Sequence, residues 1–296
     1  MTVRMAAAPP TGVRRTAVYV LDVVRLIRVL SSLAGGITVV LGLRLAGGEI
    51  AANASPLTAV GGAIAAAVGL ANVVNDIWDV RVDAVNKSDR PLPSGRVSVS
   101  AAGVIAVVLA TTALVLAARV SAATATWMAL LLAVAVGYSL LLKDTVVVGN
   151  VVVALCASTP VLFGAMVVDA FPAPVWVGAG LVFLFMLTNE TLKTISDHQA
   201  DGSSGLRTVA TVQGVRASVT LLRVLTAVLT LGGLGAAAVS STPGWYVAVA
   251  LATYVLPSWT AVLMLGRAPA PTETIKSIYI MRFSWFFGLG ALWLLA

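Results

Sequence analysis

Apolar residues fill this chain in long runs, each closed by a charged residue, a glycine or a proline. A helix needs about 20 mostly apolar residues to cross a bilayer, and charges, Gly and Pro mark where it leaves. The pattern predicts helices over approximately 20–46, 56–82, 98–119, 122–141, 146–168, 174–198, 215–240, 244–266 and 274–296. The expected fold is all-α, a polytopic membrane protein of about nine transmembrane helices. Residues 1–16 read as a flexible N-terminal arm and 17–296 as a single transmembrane domain.

Composition agrees: 59% of the 296 residues are hydrophobic and 10% charged, against roughly 25% charged in a soluble domain, so little chain is left for a soluble unit. Lys and Arg (19) outnumber Asp and Glu (12). The basic residues stand singly between apolar runs, without the dense cluster or aromatic interleaving of a nucleic-acid binder. Topology accounts for them. With the N-terminus cytoplasmic, inner loops carry Arg81, Lys87, Arg90, Arg96, Lys143, Arg207, Arg216, Arg267 and Lys276, while the outer ends keep chiefly Arg44 and Arg119; this satisfies the positive-inside rule and puts the C-terminus outside. The first apolar stretch lacks a small-residue cleavage site and carries Asp22, Arg25 and Arg28, so it reads as a retained helix, with Arg25 and Arg28 as interfacial anchors. Cys156 reads as packing, and Pro160 as a kink in the fifth helix.

Two connections are longer and more polar than the rest, RVDAVNKSDRPLPSGRVS and HQADGSSGLRTVATVQG, and both fall on the cytoplasmic side. Seven of the 12 acidic residues gather at these connections and the helix ends that lead into them: Asp76, Asp79, Asp83 and Asp89 at the first, Glu190, Asp197 and Asp201 at the second. Positions three, four or seven apart share a helix face, so Asn72, Asn75, Asp76, Asp79 and Asp83 form one polar stripe, and Glu190, Lys193, Asp197 and Asp201 another. Carboxylates near hydrocarbon are costly unless paired or bound to cations. Mg²⁺ suits them, since it takes oxygen ligands and typically combines one or two carboxylates with phosphate oxygens. Lys143, Lys193, Arg90 and Arg207 are the cations placed to stabilise a leaving diphosphate. Arg90, Arg207 and Lys143 also read as topogenic charges, and Lys193 as an internal ion pair with its own stripe.

Above the acids, Phe183 and Met186 continue the stripe of the sixth helix, and Val68 and Ala65 that of the second, outlining a chamber for a prenyl tail. Phe183 or Tyr138 can offer a π-face to a carbocation, or simply pack between helices. His198, the single histidine, adjoins Asp197 as a proton acceptor or as an idle loop residue; with one His and one Cys, zinc is not expected. The acidic motifs close the second helix of each set of four, a placement that suits an internal duplication.

The stretch NDIWDVRVDAVNKSDRPLPSGRVS resembles the first signature of the UbiA superfamily of intramembrane prenyltransferases, Asn-Asp-x-x-Asp-x-x-x-Asp before a basic, Pro-rich loop. ETLKTISDHQADGSSGLRTV is similar to its second acidic motif, with Glu190, Lys193, Asp197, Asp201, Gly205 and Thr208 in place, and YSLLLKD to its Tyr-x-x-x-x-Lys turn, marking Tyr138 and Lys143 as substrate contacts. The resemblance implies a chamber for a prenyl diphosphate, with Mg²⁺ on Asn75, Asp76, Asp79, Asp83, Asp197 and Asp201. It departs at Thr194, where many members carry an acid, and on the first helix, where an Arg-Pro plus Asn pattern is reduced to Arg28, Val29 and serines.

Three functions follow as alternatives. The first is a Mg²⁺-dependent prenyltransferase that ionises a prenyl diphosphate, with Asp79, Asp83, Asp197, Asp201 and Lys193 as its catalytic groups and Asn72, Asn75, Arg90, Tyr138, Lys143, Phe183, Glu190 and Arg207 on the substrate, and passes the prenyl group to a lipid, quinone-precursor or aromatic acceptor. The second is a UbiA-type terpene cyclase that needs no acceptor. The third is a transporter using the aspartates as an ion path, disfavoured because the acids stay at helix ends.

Overall fold

With no water to meet its peptide groups in lipid, the backbone satisfies its own hydrogen bonds in helices. The computed structural model describes residues 12–266 and 269–296, and among them there are thirteen α-helices: α1 Gly12–Ile27, α2 Val29–Leu45, α3 Ala54–Trp78, α4 Val80–Asn86, α5 Val99–Ala118, α6 Ala122–Gly137, α7 Val148–Ala165, α8 Ala173–Ser203, α9 Val209–Val212, α10 Val215–Gly235, α11 Pro243–Ala250, α12 Leu256–Leu263 and α13 Pro271–Trp293. Of the arm expected over 1–16, the first eleven residues and, further on, Arg267 lie outside the described residues; the rest of the arm opens α1.

Each of the nine predicted segments is helical, yet the span count is lower. Seven segments among the described residues are long and apolar enough to cross a membrane, and the α1–α2 pair, bent by 50°, raises this to eight. The last, α13, is 23 residues long but carries Glu273, Lys276 and Arg282. Four predicted helices are also interrupted. The first breaks at Arg28, which takes left-handed φ 53° and ψ 55°. The second breaks at Asp79, between α3 and α4. The fourth ends in a π-helical turn, Tyr138–Leu142. The eighth is α11, a π-helical turn Leu251–Val255, and α12.

Proline explains the last of these. Pro257 has no N–H for the carbonyl four residues earlier, and that carbonyl, on Thr253, instead accepts from Ser284 Oγ of α13 at 2.9 Å. Pro160 poses the same problem inside α7, which continues through it; Thr159 Oγ1 donates to the Cys156 carbonyl at 2.8 Å.

Two clusters of buried side chains make the core. One gathers around α3 and α5, with Ile64, Leu70 and Met128; the other around α8, α10 and α13, with Phe185, Leu222 and Met281. Helices α2 and α7 feed both: Val39, Leu43 and Phe163 into the first, Leu41, Leu45 and Val161 into the second. Their crossing is backbone to backbone. A Cβ added at Gly42 would lie 1.9 Å from the Val161 carbonyl oxygen, and one at Gly164 would lie 2.0 Å from that of Val39. Small residues at such crossings are how helices approach closely in lipid. Through α2 the same helix also meets α3 at Gly36 and Gly61, which sets α3, carrier of the first acidic motif, against the middle of the bundle.

Candidate active site

At the end of α3, Asn72, Asn75 and Asp79 are half-buried, while Asp76 is nearly buried at 5%. Asp76 Oδ1 accepts from Arg28 Nη2 at 2.7 Å and from Arg90 Nη1 at 3.3 Å. Arg90 Nη1 also donates to Asp83 Oδ2 at 2.5 Å, and Asp83 is itself buried. Asp79 joins α3 to the short α4, and the loop after α4 returns Arg90 between the two carboxylates. Asn75 Nδ2 donates to Asp79 Oδ2 at 3.1 Å. Lys143 Nζ donates to Asp79 Oδ2, and to Asn75 Oδ1 at 3.3 Å; the π-helical turn before it carries Lys143 onto the motif. π-turns within helices recur at functional sites.

The second motif lies along the last three turns of α8. Lys193 is bound to Glu190 Oε1 at 2.5 Å, so the internal ion pair weighed from the sequence is what forms. Asp197 is exposed and Asp201 half-buried, and neither makes a salt bridge or side-chain hydrogen bond among the described residues. His198 Nδ1 meets the Ile195 carbonyl oxygen at 2.9 Å. Arg207 is exposed in the loop between α8 and α9.

Two groups join the motifs. The Asp201 carboxylate lies within electrostatic reach of Lys143 and Lys87 as well as Asp197. The Tyr138 hydroxyl lies within reach of Asp79, Glu190, Asp201 and Asp144, and its ring packs over Gly149, where an added Cβ would stand 3.5 Å from Tyr138 Cε2. Phe183 and Met186 are half-buried on α8 above Glu190, and Ala65, Val68 and Asn72 are half-buried on α3.

Among the described residues no three acidic, His or Cys side chains form a ready-made metal cage. The donor set still fits a divalent ion that takes one or two carboxylates and completes its shell with phosphate oxygens and water. Asp197 and Asp201 are open oxygen donors, and Asp79 is 17% exposed beside Asn75. Asp76 and Asp83, expected among the ligands, are here engaged by Arg28 and Arg90.

The model of the UbiA prenyltransferase family matches residues 31–295. The chain belongs to this family. It is thus an integral, multi-pass membrane enzyme of the UbiA prenyltransferase class. The digeranylgeranylglyceryl phosphate synthase of Halobacterium salinarum is 33% identical over 258 residues, covering 85% of this chain and 90% of that protein. The one of Methanopyrus kandleri is 38% identical over 196 residues, 65% of this chain and 70% of that one. A solved digeranylgeranylglyceryl phosphate synthase structure superposes with TM-score 0.71 at 20% identity, over 93% of this chain and 97% of that one. A UbiA homologue from Archaeoglobus fulgidus bound to GPP and Mg²⁺ gives 0.68 at 17% identity, over 92% of this chain and 99% of that one. These two likenesses show a shared UbiA fold.

Sequence reasoning missed Arg28, assigned to the interface as an anchor. Its Nη1 also donates to Asn72 Oδ1 at 3.0 Å, while Asn72 Nδ2 donates to the Ile27 carbonyl at 3.2 Å, so the bend between α1 and α2 is pinned to the first UbiA motif. Asp22 was missed as well. Only 2% exposed, it binds Arg96 Nε at 2.9 Å, and Arg96 in turn donates to the Asp89 carbonyl at 2.6 Å, fastening the motif loop to α1. An acid in an otherwise apolar helix was the available signal.

Arg28 can be tested in two parts. A non-glycine residue in left-handed conformation costs about 1 kcal/mol that glycine avoids. Arg28→Gly is therefore expected to unfold at a higher temperature in detergent than Arg28→Ala, while both lose turnover alike because Asp76 loses a guanidinium. Equal turnover to the unmodified protein in both variants would separate Arg28 from the site.

Proposed function

We propose that this UbiA-family enzyme ionises a prenyl diphosphate at the two acidic motifs with the help of Mg²⁺, and transfers the prenyl group to the hydroxyl of a glycerol-phosphate lipid. The carrying observation is the meeting of the two motifs around Lys143 and Tyr138. The relatives' name supports the acceptor, since a digeranylgeranylglyceryl phosphate is a glycerol phosphate bearing two geranylgeranyl groups. The excess of Lys and Arg on the loops of the acidic face supports a cytoplasmic site, with the C-terminus outside.

Asp79, Asp197 and Asp201, with Asn75, are the residues that would hold the metal, which when bound draws negative charge from the departing diphosphate. Lys143 stands beside Asp79 to place a positive charge on the same leaving group. Arg90 holds Asp76 and Asp83, and a diphosphate entering the site would compete for that guanidinium, which would free Asp83 while Asp76 keeps its bond to Arg28. Glu190 keeps Lys193 extended along α8. Tyr138, beside the acids of both motifs, and Phe183, two turns before Glu190 on α8, would offer π-faces to the allylic cation, each stabilising positive charge by about 1 kcal/mol. In the reaction the carbon–oxygen bond to diphosphate breaks, a carbon–oxygen ether bond forms to the acceptor, and the acceptor hydroxyl proton leaves to a basic oxygen of the site or of the released diphosphate.

The test is product analysis with purified protein, Mg²⁺ and geranylgeranyl diphosphate, with and without geranylgeranylglyceryl phosphate. The expected result is a digeranylgeranyl ether only when the acceptor is present. A cyclic hydrocarbon or alcohol from the diphosphate alone would replace this reading with that of a terpene cyclase.

A further inference from the structure

On the membrane face that carries the acidic motifs, α12 ends and α13 begins, and between them runs a cleft of about 530 Å³ away from the site described above. Its walls are Pro257 and Met264 on the α12 side and Lys276, Ile280, Phe283 and Phe287 on α13. Phe283 and Phe287 are 65% and 62% exposed, apolar surface turned outward from the bundle.

The cleft is built rather than left over. Its floor is fixed by two serines of α13: Ser284 fills the bond that Pro257 leaves open on Thr253, and Ser277 Oγ donates to the Ala261 carbonyl at 2.7 Å. These hold the helices together at the back while the front stays open. From Lys276 to Phe287 the helix rises by about 16 Å, at 1.5 Å per residue. That is one leaflet, since a bilayer's hydrocarbon core is about 30 Å thick.

One end is charged. Lys276 is exposed and has no salt bridge or hydrogen bond among the described residues. Glu273, one turn before it, is occupied otherwise, its Oε2 accepting from the Ala270 N–H at 3.0 Å at the start of α13. A cation at the headgroup level above an apolar trough one leaflet deep selects a lipid with a negative headgroup.

We propose that the α12–α13 cleft binds one chain of an anionic membrane phospholipid, with its phosphate against Lys276. A neutral lipid would fill the trough without using the charge, and a second copy of the chain would cover it without lipid; both are outcomes of the test. The full chain, purified in neutral detergent, is titrated with phosphatidylglycerol or phosphatidylcholine of the same acyl chains and weighed intact with its bound lipid.

The unmodified protein is expected to retain phosphatidylglycerol about fivefold better, the weight of one basic residue near an anionic headgroup. Lys276→Gln should erase that preference, and Arg119→Gln, on the opposite membrane face, should keep it. No preference in the unmodified protein, the same preference in K276Q, an equal loss in R119Q, or lipid-free dimers would each overturn the proposal. If K276Q is not monodisperse, Lys276→Arg and the cleft-filling Phe287→Trp decide: retention in the first and loss in the second support the site, and any other pattern refutes it.

Discussion

Alanine at Asp79 or at Asp197 is expected to lower diphosphate release by at least about 100-fold, the scale seen when one preorganised charge-stabilising group is removed from a transition state. The two positions are chosen because they fail for different reasons. Asp79 sits in a bonded set with Asn75 and Lys143, so its loss removes an oxygen donor and also frees Lys143 from its place. Asp197 is exposed and bonded to nothing among the described residues, so its removal should leave stability unchanged and cost activity alone. Release of diphosphate, followed with expression and detergent stability measured in parallel, separates the cases. Retained turnover in both variants, with normal stability, would remove the motifs from the reaction.

The second large effect lies far from the chemistry. Gly164→Ala is expected to destabilise the protein by about 3 kcal/mol, the upper range for overpacking a filled site, because the new Cβ would meet the Val39 carbonyl oxygen at 2.0 Å and the Leu43 nitrogen at 2.6 Å. Both are backbone atoms of α2, so relief requires the helices to part. Gly180→Ala is the control, with nothing within 4 Å of its added Cβ. Thermal unfolding in detergent should drop for the first and stay within a degree or two for the second. An unchanged midpoint in Gly164→Ala would mean that α2 and α7 do not cross so closely.

Helices were legible in this sequence because their signal is composition over twenty residues, a quantity no single neighbour alters. The site motifs were legible because acids in an apolar chain stand out singly. What escaped depends on pairs distant in sequence. Arg28 looks like one of several arginines at a helix end until Asp76, 48 residues on, is seen to accept its hydrogen bond. Asp79 was placed inside a continuous helix, since nothing local announces the break between α3 and α4. The π-turn at Leu251–Val255 follows from Pro257 locally, but its tolerance follows from Ser284, on another helix. The role of Lys193 was left between leaving group and ion pair, and only the distance to Glu190 separates them.

Arg28, Arg90 and Lys143 face Asp76, Asp79 and Asp83, three cations against three carboxylates. The three bonded carboxylates of the first motif are therefore each matched by a cation of the chain itself. Loading such a site is an exchange of partners rather than the attraction of a bare cation to a bare acid. Raising the ionic strength should then weaken substrate capture less than it would in a cluster of acids alone, because each charge gained is matched by one let go.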